Sequence, residues 1–168
     1  MMEETQQAST TTTSVTVNTA YPTSWQGILK IVKCICLLAC MICAAVILNS
    51  AVYRNYNYGG FNSYISYCLA VAVIGFIAEL VIMILYIAGV SNRWSTNAVC
   101  SILFLIYHVI MLVMMYAACI VMTGYAGRAS QAYNAFGILA IAGFGLEIYF
   151  NIIWLRGGPE LAAFSVGQ

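Results

Sequence analysis

The segment from Tyr64 to Val90 is an almost unbroken apolar run that carries one acid, Glu79, near its middle. It is longer than the roughly 20 residues an α-helix needs to cross a hydrocarbon core about 30 Å thick. Glu79 is therefore expected inside a bilayer, where a carboxyl costs at least about 2.5 kcal/mol on insertion scales unless it is neutral, paired or wetted. Such a group requires polar partners on neighbouring helices. Two residues in other apolar runs qualify, His108 and Glu147.

Three further runs accompany this one. The chain is 63% hydrophobic and 7% charged, against roughly 25% charged residues in a soluble domain, so it reads as an integral membrane protein. Spans are predicted at 27–52, 64–90, 97–123 and 133–155, joined by loops too short to hold another domain. The expected fold class is an all-α membrane protein, a four-transmembrane-helix antiparallel bundle. Residues 1–26, rich in Thr and Ser, read as a disordered cytoplasmic tail. No basic stretch followed by a short apolar core opens the sequence, so the first span is expected to be retained rather than cleaved as a signal. Residues 156–168, which include Gly157, Gly158 and Pro159, read as a second short cytoplasmic tail.

With both termini in the cytoplasm, Lys30, Lys33, Arg93 and Arg156 lie inside and Arg54 and Arg128 outside, in the direction of the positive-inside rule. Trp25, Trp94 and Trp154 then fall at the inner interface as anchors, while tyrosines crowd the outer side. Lys30 and Lys33 are expected to extend toward the headgroups.

At 1.5 Å per helical residue, Glu79, His108 and Glu147 share a level about 13 to 17 Å from the inner ends of their spans. Two roles fit. In one, the two acids and the imidazole exchange a proton, as in proton-coupled transport. In the other, they are interhelical hydrogen bonds worth about 1 kcal/mol each. No Pro or paired Gly interrupts the second or third span, unlike the broken helices of many transporters. No metal site is predicted, because His108 has no second ligand at helical spacing on its own span. Nothing implies a cofactor.

The seven cysteines all lie in or beside apolar runs, so the loops are expected to be free of disulfides. Cys36, Cys40 and Ala44 follow small-xxx-small spacing suited to close helix packing, and Gly137, Ala140, Gly143 and Gly145 form a similar surface on the fourth span. Cys34 and Cys36, beside Lys33 at the membrane edge, are candidates for S-acylation. Met111, Met114, Met115 and Met122 read as adaptable packing. A net charge of +1 from scattered basic residues excludes nucleic acid as a partner.

Four spans, two short outer loops, inward tails, the opening GILKIVKCICLLA with Gly27, Ile28 and Leu29, and a last span beginning Ala135, Phe136, Gly137 together resemble the MARVEL-domain proteins, the group of the myelin and lymphocyte protein, plasmolipin and the chemokine-like-factor transmembrane proteins. The resemblance implies a non-enzymatic scaffold of the plasma membrane or trafficking vesicles. Such a scaffold serves membrane apposition, vesicle trafficking or cholesterol-rich microdomains, with membrane lipids, cholesterol among them, and other copies of itself or other membrane proteins as partners. It brings no catalytic residues. Two other classes remain open at this point: a proton-coupled transporter or channel using Glu79, His108 and Glu147, and a junctional adhesion component acting through the Tyr- and Asn-rich first outer loop.

Overall fold

The structure, a computed structural model, describes residues 21–50, 61–88 and 98–155, except for the side chains at 61, 62, 98 and 154. The outer loop at 51–60, the residues at 89–97 with Arg93 and Trp94, and the tails at 1–20 and 156–168 lie outside the described residues. Among the described residues, four helices follow a short 3-10 turn, Tyr21–Thr23: α1, Trp25–Asn49; α2, Phe61–Ile87; α3, Ala98–Thr123; and α4, Arg128–Leu155. Each has an apolar stretch long enough to cross a bilayer. Their arrangement is a four-transmembrane-helix bundle.

A seven-residue pattern explains why the helices pack as they do. On α1 the buried positions include Lys30, Lys33, Leu37, Cys40, Ala44 and Ile47, spaced alternately by three and four. The same alternation gives Ile65, Cys68, Ala72, Gly75, Glu79 and Ile82 on α2. It gives His108, Met111, Met115, Ala118 and Met122 on α3, and Tyr133, Gly137, Ala140, Phe144 and Glu147 on α4. A 3.5-residue repeat keeps one stripe of each helix facing the bundle axis with a slight left-handed supercoil. The opposite faces expose Ile42, Val46, Ile74, Ile84, Val113 and Ile138. Apolar exteriors of this kind suit lipid rather than water.

Helices neighbouring in sequence are neighbours in space, and α4 closes the ring against α1. Away from the end where α1 starts and α4 finishes, the core is apolar, and four of its polar side chains donate to backbone carbonyls. The Tyr133 hydroxyl donates to the Cys68 carbonyl at 3.1 Å, and the Tyr67 hydroxyl to the Met114 carbonyl at 3.3 Å. The thiols of Cys40 and Cys68 donate to the carbonyls of Tyr133 and Ala118, each at 3.5 Å. Met111, Met115 and Met122 fill this region, with Met114 half-buried at its edge.

The helix limits differ from the sequence expectation mainly at α4, which begins at Arg128 rather than at Tyr133. The turn is confined to Gly124–Gly127, where Gly127 takes φ +147°, a conformation open to glycine but not to L side chains. The Ser130 hydroxyl ties that turn by bonding the carbonyls of Tyr125 and Gly127 at 2.7 and 2.9 Å. Residues 128–132, Arg-Ala-Ser-Gln-Ala, then contain nothing that breaks a helix.

A buried charge cluster as the candidate functional site

α1 enters the bundle through a capped start. The Ser24 hydroxyl accepts from the Gly27 backbone N–H at 3.1 Å and donates to the Tyr21 carbonyl at 2.6 Å. The cap fixes the first turn, and the inward stripe then begins with two lysines. This corrects the expectation that they reach for the headgroups: Lys30 is 5% exposed and Lys33 1%. Both ammonium groups lie among the carboxylates of α2 and α4. Lys30 Nζ stands 3.2 Å from Glu79 Oε2 and 2.9 Å from Glu147 Oε1. Lys33 Nζ stands 2.9 Å from Glu79 Oε1 and is in direct contact with Glu147 Oε2. Each acid therefore meets both cations. Two charges of each sign cancel, which is the condition for burying such groups in an apolar medium.

His108 completes the cluster from α3. Its Nδ1 lies 2.6 Å from the Phe104 carbonyl, its Nε2 touches Glu147 Oε2, and Glu79 Oε1 is 3.7 Å away. Tyr107, the preceding residue, donates its hydroxyl to Glu79 Oε1 at 3.4 Å. Glu79, His108 and Glu147, predicted from their common depth, are thus brought to one place by three different helices.

Phe144 forms the floor that separates the cluster from the apolar core. Lys33 Nζ sits 4.4 Å from its ring centre, a cation–π distance, and the His108 ring meets it edge-on at 6.0 Å. Room for Lys33 comes from Gly143, where a Cβ would lie 2.5 Å from Lys33 Cγ and 2.8 Å from Cδ. The small residue expected to bring two backbones together instead accommodates the lysine stem. Gly75 plays a similar part for Met111, whose Cε would lie 2.7 Å from a Cβ there. Of the remaining small residues, Cys36, Cys40, Ala44, Gly137 and Ala140 are buried between helices, while Gly145 is only partly covered.

Protonation in the cluster follows from its hydrogen bonds. A carbonyl oxygen only accepts, so His108 Nδ1 must carry a proton toward Phe104. The three atoms that Glu79, His108 and Glu147 offer lie within 4.8 Å of one another, a spacing compatible with a metal ion. The ammonium groups at 2.9 to 3.2 Å from the same carboxylates already occupy that position with positive charge.

Cys34 and Cys36 face the interior, at 7% and 4% exposure, an arrangement that favours packing over the acylation suggested by their position in the sequence. Trp25 is 66% exposed at the start of α1, as an interfacial anchor would be. Trp94 and the side chain of Trp154 lie outside the described residues. The two lysines are the members of the cluster that the sequence pattern alone placed at the headgroups. Their signal was present, since positions 30 and 33 continue the inward stripe of 37, 40, 44 and 47.

Four apolar helices around buried, mutually compensated charges define a multi-pass α-helical membrane protein. A family model described as a membrane-associating domain, MARVEL, matches residues 21–150, most of the chain. The protein belongs to the MARVEL family, whose members are structural membrane proteins rather than catalysts, and it is not an enzyme. Comparisons with curated proteins and with solved structures give no match.

Proposed function

We propose that this MARVEL bundle is a proton-coupled membrane protein, a small transporter or channel whose working element is the Glu79–His108–Glu147 cluster with Lys30 and Lys33. One observation carries the reading: Lys30 and Lys33 of α1, Glu79 of α2, His108 of α3 and Glu147 of α4 meet in one buried cluster, in a place where any net charge is expensive. A proton gained or lost there changes the contacts that join all four helices. With both tails in the cytoplasm, the cluster lies in the inner half of the bilayer. The test is proton flux into proteoliposomes that carry a pH-sensitive dye. The wild-type protein is expected to conduct, and Glu79→Gln and His108→Gln to abolish the flux. Flux that survives both substitutions removes the cluster from the mechanism.

A second reading is favoured by helix length. Spans of 25 to 28 residues exceed the minimum for crossing and suit a thick, sterol-rich bilayer. Here the protein organises membrane at the cell surface or on trafficking vesicles by lipid selection and self-association, and the cluster fixes the register of the bundle. Sterol-dependent enrichment of a tagged copy in the ordered phase of plasma-membrane vesicles supports this second role. Exclusion from that phase argues against it.

A further inference from the structure

A crevice of about 60 Å³ opens at the end of the bundle where α1 starts and α4 finishes. Its walls include Lys30, His108 and Glu147 of the cluster, with Ile82, Tyr86 and Asn151. The volume is several times what one water requires, and the polar groups at its inner end supply the partners a water needs. The side of the cluster that faces the opposite end is closed by Phe144.

The 3-10 turn packs on Tyr86, one wall of this crevice. Tyr21 stacks on Tyr86, with ring centres 4.9 Å apart and planes 13° from parallel, and Tyr86 in turn has Lys30 Nζ 5.8 Å from its ring centre. Tyr21 is 7% exposed, and its buried hydroxyl has no hydrogen-bond partner among the described residues. A buried, unpaired hydroxyl costs about 1 to 3 kcal/mol, so stacking and the Ser24 cap hold the turn in place against a standing penalty. Gly27 permits the arrangement, because a Cβ there would lie only 2.9 Å from the Pro22 Cα.

We propose that the crevice is the hydrated entrance by which protons from the adjoining aqueous phase reach the His108–Glu147 pair, and that the turn Tyr21–Thr23 is its lid. The inference rests on the proton-coupled reading for its purpose, while the entrance and lid have a test of their own. A proton passes from hydronium through water in the crevice to the carboxylate–imidazole pair, and the reverse step returns it to water. Groups facing that pair are Lys30, Lys33 and Cys34 from α1, Glu79 and Tyr86 from α2, Tyr107 from α3, and Tyr21 from the lid. When Tyr21 swings away, its hydroxyl gains water and the crevice widens.

Cysteine labelling on adjacent residues separates the entrance from generic exposure. Ile82 lines the crevice and is 8% exposed, whereas Val81 faces outward at 49%. In proteoliposomes treated with a charged, water-soluble methanethiosulfonate, with the modified position read by peptide mass spectrometry, Ile82→Cys is expected to react at least tenfold faster than Val81→Cys. Adding Gly27→Ala or, independently, Tyr21→Ala is expected to raise the Ile82→Cys rate several-fold more. A rate at Ile82→Cys no higher than at Val81→Cys overturns the entrance. Unchanged rates in both lid variants overturn the lid. Fast labelling without proton flux leaves the entrance standing and sinks the proton-coupled function instead.

Discussion

Lys33→Met removes one cation from the cluster and leaves its two carboxylates facing Lys30 alone. Lys33 is 1% exposed and contacts Glu79, Glu147 and the Phe144 ring. Breaking a buried pair by deleting one partner costs about 3 to 5 kcal/mol. A second route to the magnitude agrees. The stranded acid escapes its unpaired charge by taking up a proton, and moving a carboxyl from an ordinary value near 4.3 to neutrality at pH 7 costs about 3.7 kcal/mol. The penalty should therefore depend on pH. Above about pH 4.5 the folded variant binds a proton that the unfolded chain does not, so its stability falls by about 1.4 kcal/mol for each unit of rising pH. Below that point both states are protonated and the dependence ends. The assay is reversible unfolding in mixed micelles from pH 4.5 to 7.5, with wild type, Lys33→Met, Glu79→Gln and the double variant. The double variant, which restores one cation to one carboxylate beside His108, is expected to recover at least half of the loss. A single variant that loses less than about 1 kcal/mol at pH 7, with no slope against pH and no recovery in the double variant, would refute the claim that ion pairing holds this site together.

Gly143→Ala places a methyl group against the Lys33 stem and is expected to cost about 1 to 3 kcal/mol by overpacking. In the same unfolding assay, Lys33→Ala should abolish most of that cost if the lysine is what the glycine accommodates. Tyr133→Phe deletes the hydrogen bond to the Cys68 carbonyl in the apolar half of the core and should lose about 0.6 to 2 kcal/mol, with proton flux unchanged.

The four spans and their antiparallel order were legible because each needs only length and hydropathy, quantities that a linear sequence contains in full. The common depth of Glu79, His108 and Glu147 was legible for the same reason, since helical rise converts residue number into height. The resemblance carried by Gly27-Ile28-Leu29 and Ala135-Phe136-Gly137 likewise pointed to the family that the match over residues 21–150 establishes. What remained hidden was azimuth and company. A lysine one or two turns inside a helix end has a stem long enough to reach either the headgroups or the bundle axis. Composition near the end of a span does not choose between them. Lys30 and Lys33 turn inward because carboxylates from two other helices wait at their level, and because Gly143 leaves space for the Lys33 stem. Both conditions are set by residues some 50 and 110 positions away along the chain. The sequence thus determined that the membrane holds two acids and a histidine at one height. Only the packing of four helices decided that two cations join them, because charge compensation in an apolar medium depends on distances of about 3 Å between segments that are remote in sequence.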